Sequence, residues 1–349
     1  MMRHEKMTSS VGSKSAGKKR SGKGTARILA LLMVLGLLGL TGCGSAGTPA
    51  GSEGAAEPLS AEQEAVEEEN YDTGDASLDD PRNQDDIGEK EILVVSFGTS
   101  FNDSRRLTIG GIEQAIAAAY PDWSVRHAFT SQIIIDHVAK RDNVKIDNVQ
   151  EALERASNNG VKELIVQPTH LMNGLEYNDL VNEIAQYSDA FEKVSIGEPL
   201  LTSEADFAAV GNILMEITAA YDTDDTAIVF MGHGTEADSN AVYGQMQEVL
   251  AAAGQDNYFI GTVEAKPDLE DVMMAVRSGN YKKVVLRPLM VVAGDHANND
   301  MAGDEEGSWK TTIEKEGYEV ECVLEGLGQV PAIQELYVQH VLAAMQPAA

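Results

Sequence analysis

The chain has 349 residues and carries 56 acidic against 26 basic side chains, a formal charge of −30 at neutral pH. A polyanion needs a basic footprint to dock on, so nucleic acid is excluded as a partner, whereas the long-range field favours divalent cations. There are only two cysteines, Cys43 and Cys322, so no disulfide framework organises the fold.

At the N-terminus Lys18, Lys19, Arg20, Lys23 and Arg27 precede an uninterrupted apolar or small run from Ile28 to Leu40, which leads into Thr41-Gly42-Cys43. A positive n-region followed by a short apolar stretch is the pattern of a secretory signal, since roughly twenty apolar residues are needed to span a bilayer. The residues before Cys43 resemble a bacterial lipobox. That resemblance implies cleavage after Gly42, lipidation of Cys43, and an exported protein anchored to the membrane on its extracytoplasmic face or in the periplasm. Residues 1–42 hold eight basic and one acidic side chain, so their removal takes the formal charge from −30 to about −37.

Residues 43–90 are expected to form a disordered acidic tether. From Gly44 to Glu91 there are fifteen acidic residues against only Arg82 and Lys90, and large apolar residues are almost absent. Such a segment cannot bury enough apolar surface to order itself, and its charges repel one another.

From Glu91 onward, β and α patterns alternate. Strands are predicted at 91–97, 123–129, 162–168 and 193–196, with helices near 103–119, 147–158 and 175–189. After a helix near 203–221 come strands at 226–231, 258–263, 283–292 and 318–324, and a final helix spans about Pro331 to Met345. Short β-branched runs in regular β-α alternation predict helix-covered parallel sheets, an α/β fold. Cys322 lies in the last apolar run as a filler, and the final helix has an apolar face that would pack on the first half or on another subunit.

The chain divides into two halves on one plan, 91–202 and 203–349. Gln167-Pro168 followed by Gly174 to Asp179 aligns with Arg287-Pro288 followed by Gly294 to Asn299 at a constant offset of 120. Phe97-Gly98-Thr99 likewise corresponds to His233-Gly234-Thr235, and Phe129-Thr130-Ser131 to Val263-Glu264-Ala265. An internal duplication accounts for this. Where the second half has His233, Glu264 and His296, the first has Phe97, Thr130 and Glu176. His233, Glu264 and His296 each follow an apolar run, and the C-terminal ends of parallel strands lie together. Two imidazoles and a carboxylate at one sheet end make a candidate metal site, in a cleft whose other wall is free to shape an organic ligand.

Several blocks resemble a known family: Phe97-Gly-Thr-Ser-Phe101, the run from Gln167 to Tyr177, Met231-Gly-His-Gly234, Gly261-Thr-Val-Glu264, and above all Pro288 to Gly303. They are similar to the anaerobic sirohydrochlorin cobalt chelatases of cobalamin synthesis, and the similarity covers nearly all of 91–345. The resemblance implies two duplicated flavodoxin-like (Rossmann-like) halves of the chelatase superfamily with a tetrapyrrole bound between them, and ATP-independent insertion of Co²⁺ into sirohydrochlorin with no nucleotide. It also implies His233, Glu264 and His296 as Co²⁺ ligands, with His233 as the proton acceptor. Imidazole and carboxylate suit Co²⁺, and equally Fe²⁺, Ni²⁺ or Zn²⁺, and hold an ion loosely enough to pass it on.

The other substrate contacts are expected from Phe97, Thr99, Ser100, Thr130, His170 and Glu176, with Met172 beside Phe97 on the apolar wall. Ser131, Arg105 and Arg287 are further candidate donors for the carboxylates of the macrocycle. Arg105 could equally be a solvated helix residue, and His127 a structural histidine. Export departs from a cytoplasmic biosynthetic enzyme, so a second class stands beside the first: an extracytoplasmic lipoprotein that binds haem, another tetrapyrrole or metal ions without turnover. A homo-oligomer is compatible with either.

Overall fold

The computed structural model describes residues 73–85 and 87–346. The predicted signal sequence, Cys43 and tether residues 43–72 lie outside the described residues. Among the described residues no helix is long and apolar enough to cross a membrane.

The first half contains β1 (Lys90–Ser96), α1 (Asn102–Leu107), α2 (Ile109–Ala119), β2 (Ser124–Phe129), α3 (Gln132–Asp142), α4 (Val149–Asn158), β3 (Glu163–Pro168), α5 (Leu175–Tyr187) and β4 (Lys193–Ile196). It continues into α6 (Glu204–Thr218), β5 (Thr226–Gly232), α7 (Ala241–Ala252), β6 (Tyr258–Thr262), α8 (Leu269–Ser278), β7 (Lys283–Pro288), α9 (Trp309–Lys315), β8 (Glu319–Cys322) and α10 (Pro331–Met345). Both four-stranded sheets are wholly parallel, in the orders β2-β1-β3-β4 and β6-β5-β7-β8. This is the same flavodoxin-type order twice, as a duplication requires.

The strands are buried on both faces because successive side chains leave a strand in opposite directions. In β1, Ile92 and Val94 enter a core that also holds Ile228 and Phe230 of β5, while Leu93 and Val95 enter a second core with Leu153 and Leu180. Ala227, Val229 and Met231 line a third core with Trp309 and Ile313. One core is therefore shared by the two halves. Helix α10 completes it by crossing back onto the first half, where Tyr337 donates to the Thr169 carbonyl at 3.0 Å and Tyr120 donates to the Val338 carbonyl at 2.8 Å. Of the two places open to the final helix, it takes the first half.

The strand ladders correct one part of the internal alignment. Thr130 N–H donates to Ser96 O and Ser131 N–H to Phe97 O, just as Val263 N–H donates to Gly232 O and Glu264 N–H to His233 O. Glu264 therefore corresponds to Ser131, not to Thr130; the second β2-like run is one residue shorter, which an ungapped comparison cannot see. The correspondence of His296 with Glu176 holds down to side-chain bonding. Asn178 and Asn298 donate through their side-chain amides to the carbonyls of Gly174 and Gly294, at 2.9 and 2.7 Å.

The acidic segment is also ordered over more of its length than its composition suggests. Residues 73–85 lie along the first half: Asp79 pairs with Arg105 at 2.5 Å, Arg82 with Glu113 at 3.1 Å, and Asp85 with Arg155 at 3.3 Å. Individual ion pairs with the folded body offset the self-repulsion that average composition records.

Two further expectations are corrected here. The predicted long helix near 103–119 is two helices divided at Thr108, whose hydroxyl donates to the Ser104 carbonyl at 2.6 Å and so competes with the helical ladder. The strand predicted over 283–292 stops at Pro288, which has no N–H for the next rung.

Candidate metal centre

Each predicted ligand follows a strand of the second sheet, and β5 and β7 are neighbours reached by crossovers in opposite directions. This is the topological switch point at which doubly wound sheets open a crevice. His233 directly follows β5. Gly234, at φ +89°, turns the chain in the left-handed region, and a Cβ there would lie 2.9 Å from Ala265 N and from Thr262, so only glycine fits. The buried Tyr243 hydroxyl accepts from Gly234 N–H at 3.2 Å and fixes the turn from behind. Glu264 follows β6, and its N–H donates to the His233 carbonyl at 2.9 Å, which ties the two loops together. His296 opens a π-helical turn, Ala297–Met301, a local widening often found at functional sites.

One nitrogen of His233, one of His296 and a carboxylate oxygen of Glu264 all lie within 4.8 Å of one another. The imidazoles meet edge to face, with ring centroids 4.6 Å apart at 85°. Their tautomers follow from their partners. His233 Nδ1 lies 2.8 Å from the Gly234 carbonyl, which can only accept, so Nδ1 carries the proton and Nε2 is free. His296 Nδ1 donates to Asp300 Oδ2 at 2.6 Å, which likewise leaves Nε2 free. The same hydrogen bond, opposed by burial, raises the basicity of His296. Two imidazoles held from behind and a carboxylate, with one donor atom of each converging, are an arrangement that can hold a divalent metal. His233 and Glu264 are exposed and His296 is half-buried, so the site opens toward solvent and an incoming partner.

Asp300, which the sequence reading does not single out, is the side chain that orients His296. Its position four residues after His296 was the available signal, because i and i+4 side chains share a helix face. Replacing Asp300 with Ala is expected to weaken Co²⁺ binding by about 10- to 100-fold in a direct titration, while the fold persists; unchanged affinity would remove Asp300 from the site.

The first-half residues are distributed less uniformly. Phe97 stands at the position equivalent to His233 and is half-exposed, and Glu176 and Leu175 are exposed at the start of α5. His170 is near Glu176, and both of its ring nitrogens are shielded without a hydrogen-bond partner; burial pushes its pKa down to about 4, so the imidazole is neutral. Thr130 Oγ1 is shielded and unpartnered as well. Ser100 is half-buried, and its carbonyl accepts from Arg141.

Other candidates are corrected. Thr99 is buried, with its hydroxyl accepting from Phe101 N–H at 3.2 Å, so it supports the loop and does not line the cleft. Arg105 is buried and committed to Asp79, Thr99 and Asn102, and Arg287 is buried and paired with Glu325 at 2.9 Å. Neither offers a free guanidinium to a substrate carboxylate. Ser131 caps α3, and His127 is a structural histidine bonded to Glu113 at 3.0 Å.

The family model for cobalt chelatase (CbiK) matches residues 90–346. The chain belongs to this family. A sirohydrochlorin cobaltochelatase of Salmonella typhimurium is 35% identical over 260 residues, covering 74% of this chain and 98% of the relative. The sirohydrochlorin cobaltochelatase CbiKC of Nitratidesulfovibrio vulgaris is 31% identical over 262 residues, covering 74% and 91%. Among solved structures, SirB from Bacillus subtilis with Fe³⁺ superposes with a TM-score of 0.53 at 12% identity, over 74% of this chain and 96% of SirB. At that identity the likeness supports the chelatase fold alone, and it agrees with the paired flavodoxin-type sheets. The chain is thus a chelatase-family enzyme, and the cluster of His233, Glu264 and His296 lies where the fold opens its crevice.

Proposed function

We propose that this protein inserts Co²⁺ into sirohydrochlorin without nucleotide hydrolysis, the metal being delivered from His233, Glu264 and His296. The observation that carries the reading is the convergence of those three donors within 4.8 Å at the switch point of the second sheet, in a chain of the cobalt chelatase family.

The hydrogen bond behind His233 supports an order for the reaction. His233 has one free nitrogen, Nε2, because Nδ1–H is occupied by the Gly234 carbonyl. It cannot hold the ion and accept a proton on the same lone pair, so the two roles are sequential. Co²⁺ first sits on His233 Nε2, His296 Nε2 and a Glu264 oxygen. As each pyrrole nitrogen takes up the metal and loses its N–H proton, a protein ligand is released with a vacant lone pair. Two protons leave the ring, and His233 Nε2 receives the first; Glu264 or His296 Nε2 receives the second. The ring carries away the dication and the protein retains two protons, so charge and atoms balance. Holding ion and ring in register supplies the effective concentration that a bimolecular encounter lacks. On the first half the exposed groups available to the macrocycle are Phe97, whose ring would offer a π-face, and Glu176. Ligands of this hardness also admit Fe²⁺, Ni²⁺ or Zn²⁺.

The test is an initial-rate assay under anaerobic conditions with sirohydrochlorin and Co²⁺ and no nucleotide. Saturable acceleration over the protein-free rate is expected. A requirement for ATP, or a spectral change that stops at one equivalent of ring with no rate gain, contradicts the proposal and favours a tetrapyrrole-binding protein.

The same proposal includes location. The leader pattern and Cys43 point to a lipid-anchored protein outside the cytoplasm, tethered through residues 43–72. Cys43→Ser is expected to move the protein from the membrane to the soluble fraction, as read by fractionation and blotting; retention on the membrane counts against lipidation.

A further inference from the structure

The segment 73–85 lies upstream of residues 90–346, which carry the family match. It nevertheless reaches the cleft through one buried side chain. Arg105 Nε and Nη2 both bond Asp79 Oδ2, at 2.7 and 2.5 Å, and its remaining contacts go to the loop after β1: Nη1 to the Thr99 carbonyl at 3.0 Å and Nη2 to Asn102 Oδ1 at 2.6 Å. Asn102 in turn donates to the Gly74 carbonyl at 3.1 Å, and Asp103 N–H donates to the Thr73 carbonyl at 2.7 Å. The segment thus closes a clasp around the loop that begins with Phe97.

That loop is also the support for the metal loop of the other half. Ser104 Oγ accepts from Ala293 N–H at 3.0 Å, and Thr99 Oγ1 lies 3.0 Å from the point where a Cβ on Gly294 would stand. Gly294 is two residues before His296. From the clasp toward the ligand run two hydrogen bonds, Asp79 to Arg105 and Arg105 to the Thr99 carbonyl, then the close approach of Thr99 to Gly294, which stands two residues before His296. Arg105 is 4% exposed, and among the described residues Asp79 is the carboxylate it pairs with. A buried guanidinium stripped of its carboxylate is costly, and it would recruit water or move, taking the Thr99 and Asn102 contacts with it.

We propose that residues 73–85 act as a clasp in which Asp79, through Arg105, positions both walls of the cleft, namely the Phe97 loop and the His296 loop. Asp79 and Arg105 are positioning residues: the guanidinium is committed to Asp79, Thr99 and Asn102, and Asp79 Oδ1, though without a hydrogen-bond partner, is shielded from the surface. The inference rests on the chelatase reading for its kinetic readout, but Co²⁺ affinity measured without tetrapyrrole reads it independently.

The test uses the full chain with Asp79→Ala, Asp79→Asn, Asp79→Glu and, as a control in the same segment, Asp85→Ala. Asp85 pairs with Arg155 on α4, away from the Asp79–Arg105 pair. Folding is checked by circular dichroism. Asp79→Ala is expected to lose about tenfold in kcat/KM and to bind Co²⁺ more weakly. Asp79→Asn, which keeps the shape, should fall between it and the parent; Asp79→Glu should recover part of the loss; Asp85→Ala should match the parent. Parental kcat, KM and Co²⁺ affinity in Asp79→Ala and Asp79→Asn would overturn the proposal, as would an equal loss in Asp85→Ala. If the parent itself metallates no tetrapyrrole while Asp79→Ala still weakens Co²⁺ binding, the clasp stands and the chelatase reading fails.

Discussion

His233→Ala and His296→Ala are each expected to reduce cobalt insertion to the uncatalysed rate while leaving the circular dichroism spectrum unchanged. Both imidazoles are surface groups of a cleft, so removing them opens no core cavity. They should nevertheless differ in kind. In the proposed mechanism His296, anchored by Asp300, is a ligand, so its loss should appear first as a fall in Co²⁺ affinity of at least about tenfold. The same mechanism makes His233 the first proton acceptor as well, so raising Co²⁺ to saturation should rescue His296→Ala in part and His233→Ala little. Equal rescue of the two variants by metal would deny His233 its second role. Parental rates in both would remove the metal assignment altogether.

The second large effect concerns stability. Arg126 and Glu91 are fully buried, with Arg126 3.7 Å from Glu91 and 3.4 Å from Asp147, which Arg155 also holds at 2.7 Å. Arg126→Met at pH 8 is expected to lower the unfolding free energy by about 3–5 kcal/mol, because it leaves Glu91 as a buried carboxylate with no cation in contact. Burial, partly opposed by Arg126, pushes the Glu91 carboxyl up to about 7 even in the parent. A carboxyl whose folded pKa lies above its unfolded value binds its proton more tightly in the folded state. Stability therefore falls as pH rises from about 4.5 to 7, on the order of 3 kcal/mol for this group. Urea midpoints of the parent should drop over that range relative to Glu91→Gln, and parallel profiles would contradict the assignment. By strand register the equivalent positions of the second half are Ala227 and Phe259, so this charge network belongs to one copy of the duplicated unit.

The architecture was legible in the sequence because buried parallel strands leave compact β-branched runs, and glycine turns mark their ends. The convergence of His233, Glu264 and His296 was legible for the same reason: the first two lie one and two residues past their strands, His296 lies in the loop after β7, and the topology brings the three strand ends together. What escaped depends on distant partners. Arg105 reads as a solvated helix residue because Asp79, its counter-ion, lies 26 residues upstream in a segment whose average charge argues for disorder. Arg126 sits in a strand, and nothing local indicates that Glu91 and Asp147 neutralise it. Helix α3 was missed because Ile133-Ile134-Ile135 looks like a buried strand, although Ser131 before it supplies the cap that starts the helix. The one-residue offset between Thr130 and Glu264 needed the hydrogen-bond ladder itself.

The most direct measurement is a single-turnover transfer. Protein loaded with one equivalent of Co²⁺ and freed of excess metal is mixed anaerobically with sirohydrochlorin in a stopped-flow absorbance instrument. Delivery from His233, Glu264 and His296 predicts stoichiometric metallation in one phase, faster than with the same concentration of free Co²⁺ and absent when His233→Ala is treated identically. Cobalt that stays on the protein while the ring remains metal-free, or metallation no faster than in free solution, would contradict the account.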